Sequence, residues 1–239
     1  MARYVIVHGA WHTGREFEDT AVPIRLAGHE VHLPTLAGNR PGDAKDVGLG
    51  DAVESLVAYL DQHGLDDIVL AGHSYGGMII TAVADRMPTR IRRLVYWNAF
   101  VPQDGQALID LVPVHYVRMF ESLVAPDGSV MLPFPVWREA FMNDADLATA
   151  EAAYARLNPH PWRTFTEPLR LSCPPAALPC AKSYLNATED TALPHGLPWH
   201  PRLSERLGLF RLVQCAGGHE LCFTNPTLLG RKLIEAGRD

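Results

Sequence analysis

Over the first hundred positions, short apolar runs alternate with amphipathic stretches. Tyr4-Val5-Ile6-Val7 is apolar and β-branched, as a buried parallel strand requires. Glu16 to Ala27 reads as a helix closed by Gly28, with Pro23 placed to kink it. Glu30 to Leu33 is a second strand, cut off by Pro34, and the glycine-rich stretch from Leu36 to Gly50 is loop. Asp51 to His63 is the clearest helix, because Val53, Leu56, Val57 and Leu60 share one face. The Asp51/Glu54 spacing suggests a capping box, and Gly64 supplies the stop. Ile68–Ala71 and Leu94–Trp97 are further strands, separated by an apolar helix over Gly76–Met87.

Strand-helix-strand repetition predicts a parallel sheet with right-handed crossovers. The alternation stops near Val101. From there to Cys180 the chain is rich in proline and bulky side chains, with helical pieces near Val136–Asn143 and Asp146–Leu157 and no strand of the sheet. This segment reads as an insertion lying over one edge of the sheet. The pattern resumes with a strand over Lys182–Ala187, a helix around Pro201–Leu207 and a strand over Phe210–Cys215. A last helix has Asn225 as cap and Pro226 at its first position. The division is a core of residues 1–100 and 181–239 with a cap of residues 101–180.

Composition narrows the function classes. The chain has 239 residues, 47% hydrophobic and 20% charged, as in an ordinary globular domain. Lysine plus arginine is 21 against 27 aspartate plus glutamate, a net charge of −6. That balance argues against nucleic acid as a partner. No apolar run is long enough to span a membrane. The first residues enter a strand directly and lack a signal-peptide layout, so a cytoplasmic protein is expected. Cys173, Cys180, Cys215 and Cys222 form no C-x-x-C pair, so neither a zinc ribbon nor a redox motif is expected. The pattern is compatible with a homodimer.

The chemistry concentrates in Gly72-His73-Ser74-Tyr75-Gly76-Gly77, set between a strand and a helix. A serine at such a turn takes strained backbone angles, and small neighbours relieve the crowding. The alternative is a glycine-rich turn in which Ser74 caps the helix. A serine hydroxyl needs a base. His219, in a glycine-rich loop after the strand Phe210–Cys215, is the candidate among eleven histidines. The base needs a carboxylate to hold its tautomer. Asp190 follows the strand ending near Ala187, with Glu189 and the more distant Asp104 as rivals. Oxyanion donors would be the backbone N–H groups of Tyr75 and Ala10, the latter in the loop after the first strand. His8 and His12 in that loop, and His195 and His200 further on, lack the spacing and partners of metal ligands, so no metal is expected. Trp11, His73 and Phe100 adjoin the catalytic loops and are expected near the pocket, with Trp137 as a further cap contact. The aromatic cap suggests a moderately apolar substrate.

The segments Val7-His8-Gly9-Ala10-Trp11-His12, Ala27-Gly28-His29-Glu30-Val31, Gly72 to Met78, Glu189-Asp190 with Leu193-Pro194, and Gly217-Gly218-His219 together resemble the α/β-hydrolase superfamily along the whole chain. More narrowly the chain resembles plant methylesterases and hydroxynitrile lyases and their bacterial relatives. The resemblance implies an α/β fold with an eight-stranded, mostly parallel sheet flanked by helices and an inserted helical cap. It also implies Ser74, Asp190 and His219 as a triad, Ala10 and Tyr75 as oxyanion donors, and hydrolysis of a small-molecule ester without a cofactor. The lyases carry threonine at the position of Gly9 and lysine at that of Glu220; a glutamate there would repel a leaving cyanide. The departures are Tyr75 in place of the commoner leucine and a cap that matches no familiar pattern. Alternatives on the same scaffold are lyase-type carbon–carbon cleavage, lactone or carbon–carbon hydrolysis, and a non-catalytic small-molecule receptor.

Overall fold

The computed structural model describes residues 1–239. Six apolar runs become the strands β1 (Arg3–Val7), β2 (Glu30–His32), β3 (Ile68–His73), β4 (Ile91–Trp97), β5 (Ala181–Ala187) and β6 (Arg211–Cys215). They form one sheet in the order β2-β1-β3-β4-β5-β6, and every pair is parallel. Each strand seen in the sequence pattern has its counterpart. The count of eight, which came from the resemblance, is corrected to six. The only other pairing is a two-stranded antiparallel ribbon, Ser129–Val130 with His160–Pro161, inside the 101–180 segment.

Side-chain alternation explains why both faces of the sheet are dry. Tyr4 and Ile6 of β1 join Val69, Ala71, Val95 and Trp97 in one cluster, covered by α1 (Glu18–Leu26) and later by the C-terminal helix. Val5 and Val7 point the other way, into a larger cluster with Leu70, Leu94 and Tyr96, under α2 (Leu49–Gln62) and α3 (Gly76–Arg86). Burying a side chain of this size contributes about 1.5–3 kcal/mol. The start of α2 differs from the expectation. Its N-cap is Gly48, whose N–H donates to Asp51 Oδ2 at 2.9 Å, so Asp51 lies inside the first turn. The Glu167 carboxylate takes the next orphan donor, Leu49 N–H, at 2.7 Å.

The 101–180 segment holds α4 (Val114–Ser122), α5 (Leu147–Tyr154), and a π-helical turn over Trp137–Phe141. It leaves after β4 and returns into β5, which are neighbours inside the sheet. It therefore emerges from the middle and not from an edge, and its aromatics pack over the carboxyl end of β1. Trp11 meets Phe120, Phe141 and Phe165 at ring separations of 5.6, 6.0 and 5.9 Å. The chain closes with α6 (Pro226–Ala236), where the Asn225 side chain accepts from Leu228 N–H. No helix is long and apolar enough to cross a membrane.

Candidate active site

Ser74 stands at the turn from β3 to α3 with φ +52°, a left-handed conformation that costs a non-glycine residue about 1–3 kcal/mol. Backbone bonds hold it there. Its N–H donates to Trp97 O at 3.3 Å, and its carbonyl accepts from Gly77 and Phe100 at 3.0 and 3.1 Å. The flanking glycines are sterically required. A Cβ on Gly76 would lie 2.8 Å from the carbonyl oxygens of Val7 and His8, and one on Gly77 would lie 2.1 Å from Phe100 O.

The loops after β5 and β6 bring the candidate acid and the candidate base together. His219 Nδ1 donates to Asp190 Oδ2 at 2.6 Å, with both side chains 1% exposed. Asp190 Oδ1 accepts Ala192 N–H at 2.8 Å. Of the rival acids, Glu189 is exposed and Asp104 accepts a backbone bond from Leu171 N–H. The His219 pKa is raised: burial opposes the charged ring, but the Asp190 charge and hydrogen bond outweigh it, with Glu220 adding to them. With Nδ1–H committed to Asp190, Nε2 is left free to accept a proton. Ser74 Oγ makes no hydrogen bond to it in this conformation. Such bonds are commonly long in free enzymes and tighten with substrate.

The amides of Ala10 and Tyr75 donate no hydrogen bond within the protein. Both residues line the same cavity as Ser74, together with Trp11, Phe100, Tyr116, Phe120 and Trp199. The free volume is about 40 Å³ and the walls are almost entirely apolar. The 101–180 segment grips the Ala10–Trp11 turn directly. Trp11, at φ +65°, accepts from Asn158 N–H at 2.7 Å, and its indole N–H donates to Val130 O at 3.1 Å. Its backbone N–H donates to His160 Nδ1 at 3.4 Å.

Two expected pocket residues lie elsewhere. His73 is buried below the cavity, stacked on Trp97 at 3.9 Å, and its Nε2–H donates to His219 O at 3.1 Å. Burial keeps it neutral, far below the usual histidine range. Trp137 is fully buried inside the 101–180 segment, donating to Ala150 O at 3.0 Å and stacking on Phe141. Trp11 and Phe100 do line the cavity.

Two residues at the site escaped the sequence reading. Asn98, buried with φ +35° just past β4, donates from Nδ2 to Asp190 Oδ2 and accepts Ala187 N–H at 2.7 Å. A lone asparagine carries no pattern, although its place after a strand of the sheet was a signal. Trp199 lies flat against the His219 ring at 5.2 Å and 17°.

Ligand-type atoms gather in two buried groups, His12 with Glu220 and Cys222, and His73 with His219 and Glu220. Glu220 is common to both; in the first group it pairs with His12 and accepts from the Cys222 thiol, and in the second His219 is committed to Asp190. His8 belongs to neither group. Its Nδ1–H donates to Gly9 O and its Nε2 accepts Leu36 N–H.

Comparison with known proteins places this geometry. Residues 4–229 match the profile of the alpha/beta hydrolase family. A carbendazim hydrolyzing esterase from Nocardioides sp. is 33% identical, covering 99% of this chain and 100% of the relative. A solved extracellular alpha/beta-hydrolase from a Paenibacillus species superposes with a TM-score of 0.95 at 37% identity, covering 100% of both chains. That protein is described as sharing structural and functional homology with tobacco salicylic acid binding protein 2. A methylesterase structure from Arabidopsis shares the fold, with a TM-score of 0.79 at 20% identity, covering 99% of this chain and 98% of that one.

Proposed function

The chain belongs to the alpha/beta hydrolase family, and on that premise we propose that it hydrolyses carboxylic esters of small, uncharged, apolar substrates through an acyl-enzyme. The observation that carries this reading is the meeting of Ser74 and two unspent amides, Ala10 and Tyr75, in one cavity beside the Asp190–His219 pair. In the proposed reaction Ser74 Oγ attacks the acyl carbon as His219 Nε2 takes its proton. The amides receive the oxyanion. The protonated imidazole, stabilised by Asp190, then gives its proton to the departing alkoxide. Water, deprotonated by the same nitrogen, releases the acid and frees Ser74.

The apolar walls favour a neutral ligand, because a charged one would lose its hydration without a partner. The naming of the Nocardioides relative as an esterase supports ester cleavage. Glu220, not a lysine, follows His219 and gives a departing cyanide anion no ammonium to pair with, which disfavours the lyase alternative.

The test joins a fluorophosphonate probe to a panel of methyl, aryl and lactone substrates, run on the parent and Ser74→Ala. The expected result is labelling of the parent at Ser74 and a loss of ester turnover of about 100-fold or more in the variant. Parental rates in Ser74→Ala would defeat the assignment.

A further inference from the structure

A buried ion pair lies below the cavity, and no step of the ester mechanism uses it. His12 Nε2 stands 3.2 Å from Glu220 Oε2, with both side chains 1% exposed. His12 sits on the loop that carries Ala10, and Glu220 directly follows His219. The same imidazole donates Nδ1–H to the Ala10 carbonyl at 2.6 Å. A carbonyl faces Nδ1 and a carboxylate stands near Nε2, an arrangement that favours the charged ring.

The surroundings favour that state. Burial opposes the charge on His12, but Glu220 outweighs it, helped by Glu16 and the Ala10 carbonyl. The Cys222 thiol donates to the same carboxylate oxygen at 3.5 Å. Phe17, Trp137 and Phe223 wall the pair in, so its charges are poorly screened. The groups facing His219 are the Asp190 and Glu220 carboxylates, the His12 ring, and His73, whose pKa burial lowers. Replacing a buried ion pair by well-packed apolar groups often costs no stability, so a role in stability alone is a weak account of this one.

We propose that His12 and Glu220 are positioning residues, whose ion pair fastens the oxyanion loop to the loop of the general base and cancels the net charge beside it. The pair holds Ala10 from its carbonyl side, while the Ala10 N–H has no acceptor in the protein. It holds the base from the residue next to it. The inference rests on the ester-hydrolase reading.

The test is the pH dependence of kcat and KM for p-nitrophenyl acetate in the parent, His12→Gln and the double variant His12→Gln/Glu220→Gln. His12→Gln strands a carboxylate beside His219. Its acidic limb in kcat/KM should move up by about one pH unit, and kcat should fall about 10-fold with KM near the parental value. The double variant replaces the pair by two amides. Its limb should return towards the parental position while kcat stays low, a pattern that simple loss of stability would not give. Parental kcat with an unmoved limb in both variants would overturn the inference. If His12→Gln does not fold, the double variant decides alone, and parental kcat there overturns it. Fluorophosphonate labelling of the parent separates the two claims. An unlabelled, inactive parent removes both, whereas a labelled parent with indifferent variants removes only the positioning role.

Discussion

Asn98 donates to the same carboxylate oxygen of Asp190 that receives His219 Nδ1–H. It is anchored in turn by Ala187 N–H at 2.7 Å and by its own N–H to Leu185 O at 3.0 Å. The acid is thus aimed from β4 as well as from its own loop.

Asn98→Ala should therefore act on both stability and rate. It removes a buried donor and leaves Ala187 N–H without its acceptor, so unfolding in urea should show a loss of about 1–3 kcal/mol. In the ester reading kcat/KM should fall at least about 10-fold, because Asp190 no longer holds the imidazole in one orientation. A folded variant with parental kcat/KM would show that Asp190 needs no such support.

The raised pKa of His219 sets the direction of the pH–rate profile. The base must be neutral to accept the serine proton, so kcat/KM should rise through an acidic limb above the ordinary histidine value of about 6.5. The ion pair's contribution to stability runs the other way: it is full below that ordinary value and fades as pH rises through the folded pKa. Asp190→Asn leaves burial as the main influence, so the limb should move to lower pH and kcat should drop by about 10⁴-fold. A limb that stays in place would separate Asp190 from the base.

The fold was legible where burial is uniform and opaque where it is mixed. Strands β1, β3 and β4 are dry on both faces, so their apolar runs read directly. Helix α4 escapes the pattern because it lies in a proline-rich stretch that reads as irregular insertion. The motif around Ser74 was legible because its glycines are dictated by local sterics. Placement of His73 in the pocket followed from its nearness to Ser74 in sequence, yet strand alternation argues against it. His73 shares a sheet face with Val69 and Ala71, which point away from the cavity, and it packs beside Phe17 and Trp97 on that face. Asn98 and Trp199 act through contacts distant in sequence, which no local pattern encodes.

Buried neutral histidines predict sensitivity to acid. His8 is pushed down to about 4 by burial, against the opposing pull of the Gly9 carbonyl. A group lowered on folding takes up its proton in the unfolded chain first, so stability falls as pH drops from about 6.5 towards about 4. His8→Gln should remove about 1.4 kcal/mol per pH unit from that slope. Urea unfolding at a series of pH values reads it, and an unchanged slope would mean that His8 does not titrate on unfolding.

Gly77 and Gly50 should respond oppositely to alanine. A Cβ at Gly77 meets Phe100 O at 2.1 Å, a backbone atom that cannot yield without moving the turn that holds Ser74. Gly77→Ala should cost at least about 1–3 kcal/mol and reduce fluorophosphonate labelling of Ser74. Gly50 lies in the first turn of α2 with open space around it, so Gly50→Ala should stabilise by about 0.5–1 kcal/mol. Equal thermal midpoints for the two variants would contradict this steric account of the turn from β3 to α3.

The cavity is small because cap aromatics fill it, and Phe120 is the one on α4 that meets both Trp11 and Phe165. Phe120→Ala should cost about 3–5 kcal/mol in stability, since packing against Trp11 is lost and the space is only partly refilled. That space adjoins Ser74, so a longer acyl chain can occupy it. Each added methylene buried in an apolar pocket changes discrimination by about 1–3 kcal/mol. The ratio of kcat/KM for p-nitrophenyl butyrate over acetate should therefore rise by about 10-fold or more in the variant. An unchanged ratio in a folded Phe120→Ala would place the acyl group elsewhere and shift the search to the wall formed by Trp199 and Leu193.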